Sequence, residues 1–332
     1  MKDESRRRFL QRGLALGGLG LLSGCQVPRM ARQAAKPASL GFLGSTSPQP
    51  YYDALRQGLA ELGYAEGRDI NLEYRYAEGN AGRLPGLAAE LIRLPVEVFV
   101  TAGTPATQAA KDASSTIPIV MGSTTDPVGA GFAASLAHPG GNVTGLGTLA
   151  PATSGKRLEL LKESLPGASR LAVLINAANQ GALPQLIETE QAARGAGLQL
   201  QLLEVGQAGD LAGAFEAAAR EQAEVLLVMD DPVFTARRTE LVELAARRRL
   251  PAIYANAEVA IAGGLMAYGT DFADLYRRAA TFVDKILKGA RPADLPIEQP
   301  TKFNFVINLK TAQALGLAIP PSVLQQATEV IH

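Results

Sequence analysis

The sequence predicts an α/β protein in which two doubly wound parallel sheets form two lobes. Short apolar runs alternate with amphipathic stretches from Leu40 onward, which is the pattern of strands and helices in a parallel sheet. The same series of elements occurs twice along the chain at a nearly constant spacing. The 332 residues suffice for two domains, and 47% of them are hydrophobic, so each lobe can bury a core.

Each element follows from a local pattern. Four apolar runs typical of strands lie in the first half, near residues 40–43, 70–76, 96–102 and 119–122. Four more lie near residues 171–175, 199–205, 225–229 and 252–254. Apolar residues at helical spacing predict helices over residues 51–62, 84–93, 185–194, 211–221 and 235–248.

The two series of elements can be overlaid. Residues 96–105 align without a gap with residues 223–232. Residues 117–119 align with residues 250–252, and residues 40–42 with residues 171–173. This repetition predicts two similar open sheets in tandem.

The N-terminal segment, residues 1–24, is typical of a bacterial export signal because basic residues precede a short apolar stretch. The run that contains Arg6 and Arg7 resembles a twin-arginine signal. Residues 22–25 resemble a lipobox, in which Cys25 would be lipidated; the alternative is a small buried thiol. We therefore expect a periplasmic or extracellular protein held to a membrane through Cys25, with residues 25–38 as a tether.

Composition argues against several kinds of function. Lys plus Arg and Asp plus Glu both number 32, so a nucleic-acid partner is not expected. One cysteine excludes a disulfide framework, and two histidines leave little for a histidine-rich zinc site or a Ser-His-Asp triad. No metal, cofactor or catalytic residue is predicted.

Candidate ligand contacts lie just beyond the predicted strands. Ligands of open α/β sheets bind at the carboxyl ends of the strands, so two facing sheets would share one cleft. The residues at those ends are small and polar: Ser45, Thr46, Ser47, Gly103, Thr104, Ser123, Thr124, Thr125, Asp126, Asn176, Asn179, Asp230, Asp231, Tyr254 and Asn256.

Some of these residues have two interpretations. Thr104 and Asp231 are each followed by a proline and are more typical of helix caps than of ligand contacts. Asp126 and Asp230 are candidates for ligand contact, because a carboxylate in a cleft requires a cation or hydrogen-bond donors. Tyr254 and Tyr268 are either core aromatics or stacking surfaces.

Several segments together resemble a known family. They include residues 52–59, 117–120, 126–129, 138–145, 154–162, 295–303 and 307–312. Through them the chain resembles the ABC transporter substrate-binding proteins of the tryptophan/tyrosine-binding type, which are related in fold to type I periplasmic binding proteins. The resemblance runs through nearly the whole chain after the export signal.

The resemblance implies a monomeric receptor whose two lobes close on a small solute and deliver it to an ABC permease and its ATPase. It implies interlobe crossings near Ala150, Gly269 and Pro300. The first lobe would be residues 39–150 plus about 270–300, and the second 151–269 plus about 301–332. It also places the ligand at ten positions: Ser45, Thr46, Gly103, Thr104, Asp126, Asn176, Asn179, Asp230, Tyr254 and Tyr268.

The chemistry of these positions favours a zwitterion such as an aromatic or apolar amino acid. Hydroxyls and N–H groups near Ser45 and Thr104 would take the carboxylate, and Asp126 or Asp230 the ammonium group. Two other functions stay open. One is a solute-sensing subunit for a signalling partner, and the other is a cleft hydrolase that uses Asp126 and Asp230 as acid and base.

Overall fold

The computed structural model describes residues 36–46, 50–206 and 211–332. Arg6, Arg7 and Cys25 lie outside these residues, and so does Ser47. The export signal, the lipidation and the tether up to residue 35 therefore stay predictions. Pro37–His332 form one compact unit.

The first sheet is wholly parallel. Its strands are β1 (Ala38–Gly44), β2 (Ile70–Tyr76), β3 (Val98–Ala102), β4 (Ile119–Ser123) and β5 (Val143–Gly145). They lie in the order β2-β1-β3-β4-β5.

The second sheet repeats this order and extends it. Its strands are β6 (Arg170–Asn176), β7 (Gln199–Val205), β8 (Val225–Val228), β9 (Ala252–Tyr254), β10 (Met266–Thr270), β11 (Phe303–Asn308) and β12 (Glu329–Ile331). They lie in the order β7-β6-β8-β9-β10-β11-β12, and β11 runs antiparallel to β10. Because the first five strands of each sheet share one order, which reverses direction beside β1 and β6, the predicted pair of doubly wound sheets is confirmed.

Helices cover both faces of each sheet. They are α1 (Tyr51–Glu61), α2 (Leu84–Arg93), α3 (Thr104–Ala113), α4 (Ala150–Ser164), α5 (Ala182–Gly195), α6 (Leu211–Arg220), α7 (Pro232–Ala236), α8 (Arg238–Arg247), α9 (Ala257–Ile261), α10 (Phe272–Leu287), α11 (Leu309–Leu315) and α12 (Pro321–Leu324). The helix predicted over residues 235–248 is divided in the structure. The backbone at Arg237 (φ −96°, ψ 22°) leaves helical geometry and separates α7 from α8.

Each sheet has an apolar core on both faces. Helices α1 and α10 pack on one face of the first sheet through Leu55, Leu275 and Tyr276, and α2 and α3 pack on the other. On the second sheet, α4, α5, α11 and α12 cover one face, and α6, α8 and α9 cover the other. Cores of this kind fix the strands, so the loops beyond the strands are held in place for ligand contact.

The chain passes between the two sheets more than once. It leaves the first sheet after β5 and returns with α10, whose apolar face packs against β1 and β3. It then re-enters the second sheet at β11. The assignment of two lobes with crossings near Ala150, Gly269 and Pro300 stays a prediction. Among the described helices, none has the length and hydropathy needed to cross a bilayer.

Candidate functional site

A cavity of about 390 Å³ lies between loops of the two sheets. The first sheet and its helices contribute Phe42, Thr46, Tyr51, Ala102, Ser123, Phe272 and Tyr276, and the second sheet contributes Asp230, Pro232, Thr235 and Asn256. We call this cavity the aromatic chamber. Residues beyond the carboxyl ends of β3, β4, β8 and β9 meet there, as expected for facing parallel sheets.

A smaller cavity of about 280 Å³ shares Ser123, Asp230, Pro232 and Phe272 with the first. We call it the hydroxyl chamber because five side-chain hydroxyls line it. It is lined by Gly103, Thr104, Ser123, Thr124, Thr125, Thr148, Asn179, Asp230, Pro232 and Phe272. Within the described part of the chain, the buried Thr148 hydroxyl has no hydrogen-bond partner. The hydroxyl chamber therefore offers polar groups, and the aromatic chamber offers apolar surface.

Stacked rings form one wall of the aromatic chamber. The ring of Tyr51, the first residue of α1, stacks on Tyr276 with centroids 5.1 Å apart and planes inclined by 11°. Phe272 lies 5.5 Å from Tyr51 at a tilt of 40°. Phe272 and Tyr276 are four residues apart on α10 and so share one face of that helix. This wall is suited to stacking against an aromatic side chain.

Burial keeps the tyrosines of this wall protonated. The Tyr276 hydroxyl lies 2.9 Å from the Ser123 hydroxyl. Burial raises the pKa of Tyr276 above its usual value. Burial, together with the nearby Glu258 carboxylate, also raises the pKa of Tyr51 well above its usual value. Both phenols are therefore neutral donors at physiological pH.

Asp230 lies where the two chambers meet. Its backbone is fixed by Gln185, whose Oε1 accepts from the Asp230 N–H at 2.9 Å and whose Nε2 donates to the Asp230 carbonyl at 3.0 Å. Asn256 Nδ2 donates to one carboxylate oxygen at 3.4 Å, which is a long contact. The carboxylate is thus positioned beside both chambers with capacity to accept further hydrogen bonds.

Burial raises the pKa of Asp230 to about 6, and the positive charge of Arg157 opposes this effect. The carboxyl groups of Asp231 and Glu258 add to the upward shift. Asp230 is therefore ionised at neutral pH but close to its titration range. A cation bound beside it would lower its pKa.

Asp231 has a different environment from its neighbour. Its carboxylate accepts from Asn179 Nδ2 at 2.7 Å, from Asn176 Nδ2 at 3.1 Å and from the Val233 N–H at 2.7 Å. Asp231 is thus the N-cap of α7, which is the capping role that its position before a proline predicts. Of the two asparagines, Asn179 also lines the hydroxyl chamber.

The remaining predicted residues of the first sheet lie close to the chambers. Thr46 lines the aromatic chamber, and Gly103 and Thr104 line the hydroxyl chamber. Thr104 Oγ1 accepts from the Thr125 N–H at 3.3 Å. Gly103 has φ +90°, and a Cβ there would lie 3.1 Å from Pro232 Cγ, so glycine is required at this point. Ser45 is buried without lining either chamber.

Five of the ten predicted positions line neither chamber: Ser45, Asn176, Asp126, Tyr254 and Tyr268. The Asp126 carboxylate accepts from the Gly129 N–H at 2.8 Å and closes a turn. Tyr254 is 1% exposed in the core of the second sheet, because its side chain leaves β9 on the face covered by α8 and α9. Tyr268 packs on Phe303, with centroids 6.2 Å apart, and on Phe305.

The three aromatic residues Tyr51, Phe272 and Tyr276 are not predicted from the sequence. The predicted contacts lie directly after predicted strands, whereas these residues lie at the beginnings of helices α1 and α10. A usable signal was present, since Phe272 and Tyr276 recur at four-residue spacing at the start of a strongly amphipathic helix. No group of three or more potential metal-binding side chains occurs among the described residues.

Comparison with known proteins identifies relatives of the whole compact unit. The family model described as ABC transporter substrate binding protein matches residues 41–331. A tyrosine-binding protein of Clostridioides difficile is 24% identical in an alignment of 312 residues that covers 90% of this chain and 89% of the relative.

Two solved structures have the same architecture. An ABC domain from Streptococcus pneumoniae in complex with L-Trp is 28% identical, with a TM-score of 0.83 over 89% of this chain and 100% of that one. A conserved domain protein from Vibrio cholerae O1 biovar El Tor is 30% identical, with a TM-score of 0.83 and the same coverage of both chains.

Proposed function

The chain belongs to the ABC transporter substrate-binding proteins, a family that binds solutes outside the cytoplasm and is not enzymatic, and we propose that its solute is an aromatic amino acid. The observation that carries this proposal is the stacked wall of Tyr51, Phe272 and Tyr276 beside the Asp230 carboxylate. Relatives that bind tyrosine and L-Trp support the same choice.

Each chamber binds a different part of the ligand. The aromatic side chain stacks on Tyr51 in the aromatic chamber. The ammonium group binds Asp230, since a buried carboxylate with spare acceptor capacity requires a cation. The α-carboxylate enters the hydroxyl chamber, where it meets the Thr104 and Thr148 hydroxyls and the N-terminus of the ten-residue helix α3. No arginine is needed for the carboxylate.

The wider role follows from the family and from the sequence expectations. The receptor closes its two lobes, bounded near residues 150, 269 and 300, on the amino acid and passes it to an ABC permease driven by its ATPase. It works as a monomer outside the cytoplasm. Cys25 carries the lipid that holds it to the membrane, and a twin-arginine signal exports it.

Calorimetric titration of the ligand-stripped protein with L-tyrosine and L-tryptophan tests this assignment. We expect Asp230→Asn to weaken binding at least about tenfold, because it removes the charge that faces the ammonium group. Asp126→Asn, which alters the other predicted carboxylate, should leave the affinity within about twofold. Equal affinities of wild type and Asp230→Asn would show that Asp230 does not contact the ligand. A loss of affinity confined to Asp126→Asn would show that Asp126, and not Asp230, contacts the ammonium group.

A further inference from the structure

Asn256 precedes helix α9 without capping it. An asparagine at this position usually accepts a hydrogen bond from an N–H group in the first turn of the helix. The Asn256 side chain makes no such bond. It is 5% exposed and lines the aromatic chamber. Because the side chain does not serve the helix, its position in the chamber requires another explanation.

Two hydrogen bonds fix the orientation of the Asn256 amide. Nδ2 donates to Asp230 Oδ1 at 3.4 Å and to Thr235 Oγ1. The opposite orientation would place the amide oxygen beside the Asp230 carboxylate, so that two acceptors would face each other. The nitrogen therefore faces Asp230 and Thr235, and Oδ1 occupies the other branch of the amide.

The Asn256 oxygen is a buried acceptor without a donor. Among the described residues that line the aromatic chamber, Oδ1 is the only fully buried side-chain polar atom that has no hydrogen-bond partner. Three hydroxyls of the same chamber are already engaged, since Ser123 and Tyr276 bond to each other and Thr235 accepts from the amide nitrogen. A buried acceptor left unpaired is unfavourable, so a donor on the bound solute would replace the missing hydrogen bond.

An aromatic amino acid offers two kinds of donor. One is the ammonium group, which the Asp230 carboxylate binds under the proposed function. The other is the ring N–H of tryptophan or the phenol O–H of tyrosine, which phenylalanine lacks. Asp230 lines both chambers, whereas Asn256 lines only the aromatic chamber, where the ring binds. The ring donor is therefore the partner that matches the position of the amide oxygen.

We propose that Asn256 is a specificity-determining residue of the solute site, whose amide oxygen accepts a hydrogen bond from the ring donor of tryptophan or tyrosine. Phenylalanine would fill the same apolar space and leave this acceptor unpaired. Sites built around a buried hydrogen-bonding group strongly reject analogues that lack the matching group. The inference rests on the proposed function, because it requires an aromatic amino acid in the aromatic chamber.

Calorimetric titration with two matched pairs of solutes tests the hydrogen bond in the wild-type protein. L-tyrosine is paired with L-phenylalanine, and L-tryptophan with its benzothienyl analogue, in which sulfur replaces the ring N–H. In the pair whose parent binds more tightly, we expect the parent to bind at least about tenfold more tightly than the analogue. Equal affinities within both pairs overturn the role of Asn256.

Asn256→Leu tests which residue causes this preference. The variant also loses the bond to Asp230, so it should weaken both members of a pair, but the ratio of their affinities should fall to within about twofold. A purely structural role of Asn256 would lower both affinities and leave the ratio unchanged. A wild-type ratio in Asn256→Leu therefore contradicts the proposal.

Asn176→Leu is the matched control for this variant. The Asn176 amide also donates to a carboxylate, that of Asp231 at 3.1 Å, but it lines neither chamber. Asn176→Leu should therefore keep the wild-type ratio within each pair. If Asn256→Leu does not fold, Asn256→Ala, which adds no bulk, takes its place with the same expected ratio.

The titrations of the wild-type protein also separate this inference from the proposed function. If the protein binds aromatic amino acids without preference for a ring donor, the proposed function stands and the role of Asn256 is overturned. If it binds none of the four solutes, both fail.

Discussion

Two adjacent carboxylates after β8 show how environment separates the roles of identical side chains. Asp231 accepts three hydrogen bonds and caps α7, so its acceptor capacity is largely used. Asp230 accepts one long hydrogen bond from the residues that the structure describes, and it lines both chambers. The Asp231 carboxylate therefore has a structural role. The Asp230 carboxylate has a raised pKa, which a bound cation would lower.

This arrangement predicts a pH-dependent cost to folding. The pKa of Asp230 is raised from 3.8 to about 6, so the folded state binds the proton more tightly than the unfolded chain. The contribution of Asp230 to stability is therefore fully present below its unfolded pKa of 3.8 and is lost as the pH rises through its folded pKa of about 6. Asp230→Asn should gain stability relative to wild type across this range, by at most about 3 kcal/mol above about pH 7.

Urea unfolding of the ligand-free proteins at about pH 4 and about pH 7 measures the effect. The difference between variant and wild type cancels the titration of all other groups. A difference in the free energy of unfolding that does not grow with pH would falsify the raised pKa of Asp230.

The aromatic wall gives a second prediction at this scale. Tyr51→Ala should weaken binding of L-tryptophan at least about tenfold, because it removes the stacking surface, whereas Tyr51→Phe should stay within about threefold. Tyr74 serves as the control, since it is 46% exposed and stacks on Tyr76 away from both chambers. Calorimetry in which Tyr74→Ala and Tyr51→Ala lose equal affinity would show that Tyr51 does not contact the ligand.

Some of the polar loop residues predicted from the sequence line the chambers, and the two predicted tyrosines do not. Thr46, Gly103, Thr104, Asn179 and Asp230 line the chambers. Tyr254 and Tyr268 also lie on strands, but the alternation of side chains across the sheet and their packing partners decide where the rings point, and a single sequence does not give them. Tyr51 and Tyr276 meet only because α1 and α10, far apart in sequence, pack on one face of the first sheet.

At the scale of elements, the start of α5 approaches the first sheet closely. A Cβ added to Gly181, just before α5, would lie 2.8 Å from Thr125 Oγ1 and 3.0 Å from Thr104 Oγ1. Both threonines line the hydroxyl chamber and follow strands of the first sheet. Gly181 therefore permits the close approach of the two sheets at this point.

We expect Gly181→Ala to weaken amino-acid binding about tenfold, since the added methyl group separates α5 from the threonines without entering either core. Gly195 at the other end of α5 supplies a matched control, because a Cβ there meets nothing within 4 Å. Calorimetry measures the affinities, and the melting temperature without ligand shows whether the fold is intact. Wild-type affinity in Gly181→Ala would mean that this approach does not contribute to binding.

The sequence predicted the repeated elements well and the last strands poorly. The recurring apolar runs of β1, β3, β6 and β8 are buried on both faces and therefore stand out as continuous apolar segments. Strands β5 and β12 have three residues each, and β11 runs antiparallel beside β10. Short strands and a reversal of direction leave no clear periodic signal, so these elements need the three-dimensional structure.

At the scale of the whole molecule, one topology used twice produces the site. Because both sheets place their loops at the carboxyl ends of strands of the same order, neither sheet alone contains the complete site. The first sheet and its helices supply the aromatic wall and most hydroxyls, and the second supplies Asp230 and Asn256. On our proposal that the two lobes close on the solute, a site divided in this way couples solute binding to closure.

The melting temperature of the ligand-stripped protein against amino acids, short peptides, nucleosides and sugars tests the central claim most directly. A solute at about 1,000 times its dissociation constant adds about 4 kcal/mol to stability, which gives a shift of several degrees. We predict large shifts with L-tryptophan or L-tyrosine, small ones with aliphatic amino acids, and none with sugars or nucleosides. A large shift with a sugar or nucleoside, together with flat curves for every aromatic amino acid, would contradict the account.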